Sequence, residues 1–269
     1  MTLDHEQLAY RQAELYAQEL RELYERDRHG AKAIGERREK AAAVRGVLER
    51  GVRMVFQPII DLRDDREAGM EALARFDGDP PKGPDVWFRE AAEVGLGTEL
   101  ELLAIRAAVD AAHAQLPADS FLAVNLSPAT AMSSGFVEIV EGIDRIVIEI
   151  TEHAPVADYD RLAHRLRPFR AAGGRLAVDD AGAGFASLQH ILALQPDIIK
   201  LDISLTRHVD SDRARRALAK ALITFAEEIE ISIVAEGIET EAEMETLKAL
   251  GVTYGQGYFL GRPGNLVSA

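Results

Sequence analysis

The chain contains no cysteine among its 269 residues. Disulfides, thiolate catalysis and cysteine-ligated zinc are therefore excluded, and the composition is compatible with a reducing compartment. The sequence also lacks an apolar run near the roughly 18 residues of a membrane span, and its N-terminus lacks the apolar segment of a signal peptide. We therefore expect a soluble, cytoplasmic protein without a membrane span.

Basic residues are scarce relative to acidic ones. The sequence has 31 Lys and Arg against 45 Asp and Glu, which gives a formal charge of −14. A surface for a nucleic-acid polymer needs clustered Lys and Arg, so we expect no such partner. An anionic substrate would instead need bound metal ions. The length allows one large α/β barrel with an appendage or two small domains.

The first 50 residues contain no proline and are rich in Glu, Arg, Ala and Leu. A spacing of four and three residues from Ala9 to Leu48 gives an apolar seam that is interrupted in its middle. Such a helix either pairs with a second copy in a coiled coil or folds back on its own domain. We favour the first interpretation, with residues 1–50 as a signalling and dimerisation helix and residues 51–269 as a second domain.

From Met54 onward, strand-like apolar runs alternate with helical patterns, which is typical of a (β/α)₈ TIM-like barrel. Strands are predicted over 54–62, 68–75, 121–127, 145–151, 175–180, 197–202, 232–238 and 254–261, with helices near 87–94, 99–115, 158–172, 185–194, 212–229 and 240–250. A short turn around Asp64 and Asp65 separates the first two strands, so these should form an antiparallel hairpin. An open doubly wound sheet is the alternative, but polar residues end nearly every strand, as in barrel sites.

Those polar residues predict a two-metal site that cleaves a phosphodiester. A strand such as Ile146–Ile150 has no solvent face for Glu149, so this acid must be paired, metal-bound or at the open end of its strand. A set of oxygen ligands without Cys or His suits Mg²⁺ or Mn²⁺. An Asp-Gly-type turn before a helix would explain only one of the adjacent aspartates. The predicted metal ligands are Glu71, Asn125, Glu149, Asp179, Asp180 and Glu236.

Four further residues are candidates for roles beside the metals. Lys200 follows two isoleucines and would hold the attacking water or stabilise charge on the phosphate, with a salt bridge to a barrel acid such as Asp202 as the alternative. Arg75 lies on the same strand face as Glu71 and would bind a phosphate. Gln256 lies between two glycines and would enter the mouth of the barrel, unless it marks an edge-strand turn. Glu152 would anchor the 181–187 loop.

Eight motifs occur in order between about residues 53 and 263: FQPIIDL, EALAR, NLSP, EITE, DDAGAG, KLD, AEGIET and QGYFLG. This ordered set resembles the EAL-domain phosphodiesterases, which linearise the bacterial second messenger cyclic di-GMP. The resemblance implies a (β/α)₈ barrel with one antiparallel strand, two Mg²⁺ or Mn²⁺ ions per site, and hydrolysis to linear pGpG. The N-terminal helix resembles the connectors that couple sensor domains to output domains, which implies an upstream sensor domain, either in a longer protein or lost from this one. The predicted coiled coil makes a homodimer the expected assembly.

The resemblance assigns Glu71, Asn125, Glu149 and Asp179 to one metal, and Asp179 would bridge to a second metal held by Asp180 and Glu236. It implies catalytic roles for Lys200, Glu71 and Glu236, phosphate binding by Arg75, proximity of Gln256 to the site and loop anchoring by Glu152. Asp202 and Glu239 fall on positions that are acidic in active members. Ala181 and Ala183 stand where the family usually has Phe and Thr in the metal loop, so the family's regulation and basal rate do not carry over to this chain, although no predicted ligand is lost. The alternative function is a catalytically silent cyclic di-GMP receptor.

Overall fold

The computed structural model describes residues 32–117, 119–140, 145–150, 156–182 and 185–266. A helix over 32–50 (α1) precedes two strands, β1 (Arg53–Asp61) and β2 (Arg66–Arg75). The remaining elements are α2 (Pro84–Val94), α3 (Gly97–Gln115), β3 (Phe121–Asn125), α4 (Pro128–Ala131), α5 (Ser134–Val140), β4 (Ile146–Ile150), α6 (Tyr159–Ala171), β5 (Arg175–Ala181), α7 (Phe185–Leu194), β6 (Ile198–Leu201), α8 (Ile203–Thr206), α9 (Arg213–Glu228), β7 (Ser232–Ala235), α10 (Glu241–Ala249) and β8 (Tyr254–Gly255).

The strands close into a barrel in chain order, β1 to β8. β1 runs antiparallel to both of its neighbours, and the other neighbouring pairs are parallel. The predicted hairpin is confirmed, with Arg53 opposite Arg75 and Asp61 opposite Arg66. Because β1 also pairs with β8, the sheet has no open edge, and the doubly wound alternative is wrong. The predicted barrel with one antiparallel strand is confirmed.

The barrel interior is filled by apolar side chains from six strands. Side chains alternate between the two faces of a strand, so the residue two positions further on points to the same side. In β4, Val147 belongs to the interior cluster and Glu149 follows it by two; in β6, Ile198 and Lys200 have the same relationship. The same spacing holds for Ala123 and Asn125, Ala177 and Asp179, and Val234 and Glu236. A polar layer therefore lies directly above the apolar interior.

Helices bury the outer faces of the strands. The outward residues Ile146, Ile148 and Ile150 pack in one cluster with side chains of α3, α5 and α6. A second cluster joins β5, β6 and β7 to α9 and α10. Burial of each aliphatic side chain of this size stabilises the fold by about 1.5–3 kcal/mol. These two outer clusters fix the positions of the strands that carry the polar layer.

The last turns of α1 pack onto the barrel domain. Val44 and Val47 are 0% and 1% exposed and lie in a cluster with Trp87, Ala91 and Leu100. This is the arrangement of a helix folded back on its own domain, and it extends across the predicted boundary at residue 50. Further toward the N-terminus, Ile34 is 57% exposed. The seam from Ala9 to residue 31 lies outside the described residues, so the dimerisation role stays a prediction.

Element boundaries differ from the expectations mainly at β8. The strand was expected over 254–261 but ends at Gly255. Beyond it the chain turns, with Leu260 N–H donating to Gly257 O at 3.1 Å. The short helices α4, α5 and α8 have 4, 7 and 4 residues, too few for a periodic pattern to predict them. Among the described helices, none is long and apolar enough to cross a membrane.

Candidate active site

The predicted site residues of six strands meet at one end of the barrel. Asn125, Glu149, Asp179 and Lys200 lie at or near the carboxyl ends of β3, β4, β5 and β6. Glu71 lies within β2, and Glu236 directly follows β7. Carboxyl ends of parallel strands share one edge, where barrel enzymes bind substrates. The structure therefore brings together the residues that the sequence places far apart.

The ammonium group of Lys200 lies among four carboxylates. Its Nζ atom is 2.7 Å from Glu149 Oε2 and 2.7 Å from Glu236 Oε1. Asp179 Oδ1 and Glu71 Oε2 are slightly further away, at 3.4 and 3.6 Å. The salt bridge that was the alternative role of Lys200 is thus present, although its partners are these acids and not Asp202. Asp202 instead caps α8 by accepting a hydrogen bond from Ser204 N at 2.8 Å.

Two amides hold the carboxylate of Glu71. Asn125 Nδ2 donates to Glu71 Oε1 at 3.0 Å, and Gln256 Nε2 donates to Glu71 Oε2 at 2.7 Å. Gln256 Nε2 also lies 3.2 Å from Gln57 Oε1, and Gln57 Nε2 donates to Gly261 O at 3.0 Å. Gln57 was assigned no role from the sequence. A glutamine in an otherwise apolar strand was the signal that could have identified it.

Gln256 enters the site because the backbone beside it is closely packed. A Cβ atom on Gly257 would lie 2.1 Å from Ile238 O, so a larger residue does not fit there. Gln256 N–H donates to Ala235 O at 2.8 Å, and Ile238 N–H donates to Gln256 O at 3.1 Å. The expected close backbone approach at this glycine pair is present.

An irregularity in β5 brings both aspartates to the site. The register with β6 shifts between Val178 and Ala181. Asp180 has a φ of 57°, which is uncommon for a residue other than glycine, and its N–H donates to Asp179 Oδ1 at 3.0 Å. In a regular strand the two side chains would point to opposite faces. Here oxygen atoms of Asp179, Asp180 and Glu236 lie within 4.8 Å of one another.

Burial and crowding shift the pKa values of these groups. Burial raises the pKa of Glu149 well above its usual range, and Glu71 and Asp179 add to this effect. Burial also raises the pKa of Glu236 to about 8. For Glu71, burial acts in the same direction but is outweighed by Lys200 and the amides of Gln256 and Asn125, so its pKa is lowered. Burial lowers the pKa of Lys200, but the surrounding carboxylates outweigh it, so the pKa is raised and the lysine stays charged.

The donor set fits hard divalent cations. Carboxylate and amide oxygens are the ligands that Mg²⁺ and Mn²⁺ take in proteins. Asp179, Asp180 and Glu236 form one group of suitable oxygen atoms. Glu71, Asn125 and Glu149 lie beside it, joined through hydrogen bonds and Lys200. Close carboxylates of this number favour bound cations, which would relieve their repulsion.

Two pockets adjoin the carboxylates. A pocket of about 410 Å³, called the acidic pocket below, contains Glu71, Asp180 and Glu236; its other lining residues are Gln57, Asp202, Ile203, Arg207, Gly237, Glu239, Gln256, Gly257 and Tyr258. Asp202 and Glu239 thus lie near the predicted metal ligands. Arg207 was not identified from the sequence, since its proximity to the site depends on how the turn after α8 packs.

The second pocket, of about 390 Å³, lies between β2, β3, α2 and α3. It is mainly apolar, and its polar residues include Arg75, Asp85, Glu101 and Asn125. Arg75 Nη1 donates to Ala74 O at 2.8 Å. Arg75 therefore shares a pocket with Asn125, whereas Glu71 lines the acidic pocket. Glu152 and Ala183 lie outside the described residues, and the predicted anchoring of the 181–187 loop stays a prediction.

A family model described as the EAL domain matches residues 40–263. The chain belongs to the EAL domain family. An uncharacterized signaling protein of Caulobacter vibrioides is 33% identical over 243 residues, which cover 86% of this chain and 30% of that protein. This chain therefore spans about a third of the length of that relative.

Two solved structures are similar to this chain along most of its length. The PaMucR phosphodiesterase in complex with c-di-GMP has a TM-score of 0.72 and 27% identity, with 84% of this chain and 97% of that chain covered. Klebsiella pneumoniae BlrP1, in a manganese and cyclic di-GMP complex, has a TM-score of 0.69 and 29% identity, with 79% and 56% covered. Both of these proteins were solved in complex with cyclic di-GMP, and BlrP1 also with manganese.

Proposed function

We propose that this EAL domain hydrolyses cyclic di-GMP to linear pGpG with two Mg²⁺ or Mn²⁺ ions. The observation that carries the proposal is the position of the Lys200 ammonium among the carboxylates of Glu149, Glu236, Asp179 and Glu71. A receptor without catalysis has no need for a buried lysine among four carboxylates.

In this proposal, Glu71, Asn125, Glu149 and Asp179 would hold one cation, and Asp179, Asp180 and Glu236 would hold the other. When bound, the cations offset the negative charge of the acids and of the phosphodiester and lower the pKa of the attacking water. Orientation of the water, stabilisation of the developing charge and binding of the substrate would be carried out by side chains of this chain.

Lys200 would orient the attacking water and stabilise charge that develops on the phosphate oxygens. Its ammonium is fixed by two hydrogen-bond-length contacts of 2.7 Å, so it needs little reorganisation during the reaction. Gln256 would keep the Glu71 carboxylate in place and contact the substrate. Arg75, in the pocket that it shares with Asn125, would bind the phosphate that the metals hold.

The test is incubation of the purified chain with cyclic di-GMP and Mn²⁺, with and without a chelator, followed by chromatography. We expect pGpG in the presence of Mn²⁺ and intact cyclic di-GMP when the chelator is present. Tight binding of cyclic di-GMP with no pGpG formed would refute the enzymatic proposal and identify a receptor.

We also propose that the chain forms a homodimer and that α1 connects the barrel to an upstream sensor domain. The exposed Ile34 and the buried Val44 and Val47 divide α1 into a free part and a part that packs on the barrel. Deletion of residues 1–31 leaves the packed part intact and should shift the protein toward monomer in sedimentation. An unchanged dimer would place the dimer contact elsewhere.

A further inference from the structure

Arg207 lines the acidic pocket on the side of β6 and β7. The other charged residues that line this pocket are all acidic: Glu71, Asp180, Asp202, Glu236 and Glu239. Arg207 is therefore the one basic side chain among the described residues that line it. A ligand with more than one negative charge would meet repulsion throughout this pocket except at the bound cations, beside the buried ammonium of Lys200, and at Arg207.

The position of Arg207 is fixed by its backbone and by an ion pair. Its N–H donates to Ile203 O at 2.9 Å, and its carbonyl oxygen accepts a hydrogen bond from Arg215 Nη1 at 2.8 Å. Its Nη2 atom donates to Glu239 Oε1 across the turn that follows β7. The guanidinium therefore lies at a defined place on the wall of the pocket.

The Glu243 carboxylate links the backbone segment beside Arg207 to the backbone of Glu239. Its Oε1 atom accepts a hydrogen bond from His208 N at 2.8 Å, and its Oε2 atom accepts one from Glu239 N at 2.9 Å. The segments that carry Arg207 and Glu239 are thereby held by one buried carboxylate, 2% exposed. Such support reduces the ordering that ligand binding would otherwise require.

The guanidinium retains donor capacity toward a ligand. The Arg207 side chain is 39% exposed, although its Nε atom is buried and has no hydrogen-bond partner within the described residues. A guanidinium offers five N–H donors in a planar fork that matches the oxygen atoms of a phosphate. Nε is buried and the contact with Glu239 uses Nη2, so a contact with a ligand would use the Nη1 group.

We infer that Arg207 is a substrate-binding residue that contacts the phosphate of the cyclic dinucleotide that is not cleaved. This inference rests on the proposed function, because a cyclic dinucleotide carries two phosphates and the carboxylate cluster with its cations would hold only the one that is cleaved. The second phosphate needs its own positive charge in a pocket of acids. Arg207 supplies that charge.

The test compares the intact protein with Arg207→Ala, Arg207→Lys and a control, Arg213→Ala, an exposed arginine that is absent from the pocket lining. Each is assayed in Mn²⁺ with cyclic di-GMP and with bis(p-nitrophenyl) phosphate, which has a single phosphodiester. A hydrogen bond to a charged group contributes about 1.5–3 kcal/mol, so Arg207→Ala should raise KM for cyclic di-GMP about tenfold to a hundredfold.

The value of kcat should stay within about threefold, since Arg207 does not contact the reacting atoms. Hydrolysis of bis(p-nitrophenyl) phosphate should be unchanged, Arg207→Lys should retain part of the affinity, and Arg213→Ala should match the unmodified protein. An equal loss of activity on both substrates would show that Arg207 only supports the pocket, and an unchanged KM for cyclic di-GMP would also overturn the inference.

Equilibrium binding of cyclic di-GMP in Ca²⁺ separates this inference from the proposed function. If the unmodified protein binds but does not hydrolyse, the catalytic proposal fails, and weaker binding by Arg207→Ala would still support the phosphate contact. Equal affinity of the two proteins would overturn it. If the unmodified protein does not bind, both proposals are wrong.

Discussion

Lys200 and Glu149 form an ion pair with 2.7 Å between Nζ and Oε2, and each side chain is 1% exposed. Removal of one member of such a buried pair is strongly destabilising, because it leaves an uncompensated charge. A buried ion pair contributes little net stability compared with apolar side chains of similar size. The presence of this pair among further carboxylates therefore favours a catalytic role over a structural one.

Lys200→Ala should be less stable, and in a preparation with the circular dichroism spectrum of the unmodified protein it should lower kcat on the order of 10²-fold or more with little change in KM, since the lysine acts on the water and the developing charge. The measurement is steady-state hydrolysis of cyclic di-GMP at saturating Mn²⁺. A variant with an unchanged kcat and a raised KM would make Lys200 a phosphate-binding residue.

Glu71→Ala should abolish hydrolysis and preserve the fold. The variant loses the acceptor of the Asn125 and Gln256 amides, but it also relieves repulsion among Glu71, Glu149 and Asp179. Glu67→Ala, on the exposed start of the same strand, is the control and should keep its activity. Near-normal turnover of Glu71→Ala at saturating Mg²⁺, with an unchanged circular dichroism spectrum, would argue against the two-metal assignment.

Glu101 should act as a positioning residue for Asn125. Its Oε2 atom accepts a hydrogen bond from Ser127 N at 2.9 Å, directly after the β3 end that carries Asn125. Glu101→Ala leaves this N–H without its acceptor, a cost of about 1–3 kcal/mol, and should weaken Mn²⁺ binding about tenfold in a metal titration. Glu99→Ala, exposed on the same helix, should bind Mn²⁺ normally. Identical titrations of the two variants would show that Glu101 does not position Asn125.

Glu243 should make stability depend on pH in acid. Burial raises its pKa, but hydrogen bonds from the backbone N–H groups of His208, Glu239 and Thr240 outweigh this effect, and the pKa lies below its usual 4.5. The ionised Glu243 carboxylate therefore contributes fully to the stability of the fold above the pKa that Glu243 has in the unfolded chain. This contribution is lost as the pH falls through the lower pKa of Glu243 in the folded protein.

Thermal unfolding below pH 4.5 tests this expectation. The unmodified protein should lose stability more steeply on acidification than Glu243→Gln, which cannot ionise. Glu245→Gln, exposed on the same helix, should retain the slope of the unmodified protein. Equal slopes for Glu243→Gln and the unmodified protein would contradict the assignment.

The barrel and most of the candidate site could be predicted from the sequence because side chains alternate between the two faces of a strand, with a period of two residues. Residues such as Val147 and Glu149 lie on one face of one strand, so an interior apolar residue predicts that the polar residue two positions later also points inward. The short loop near Asp65 likewise predicted the antiparallel start.

Contacts that depend on packing between distant segments were not predictable. Arg207 reaches the pocket because Glu243 ties the turn after α8 to the turn after β7. The role of Gln57 depends on Gln256, 199 residues away in the chain. The packing of the end of α1 on the barrel could not be predicted from the heptad pattern. Val44 and Leu48 occupy seam positions, which would be apolar whether they face a second helix or the barrel of the same chain.

Hydrolysis of cyclic di-GMP in water enriched in oxygen-18 tests the central claim most directly. The purified chain with Mn²⁺ should release pGpG that carries one labelled oxygen on its terminal phosphate, since water attacks phosphorus and one phosphodiester bond breaks. Lys200→Ala should form this product at least about 10²-fold more slowly. Cyclic di-GMP that stays bound, unlabelled and intact in the presence of Mn²⁺ would contradict the account.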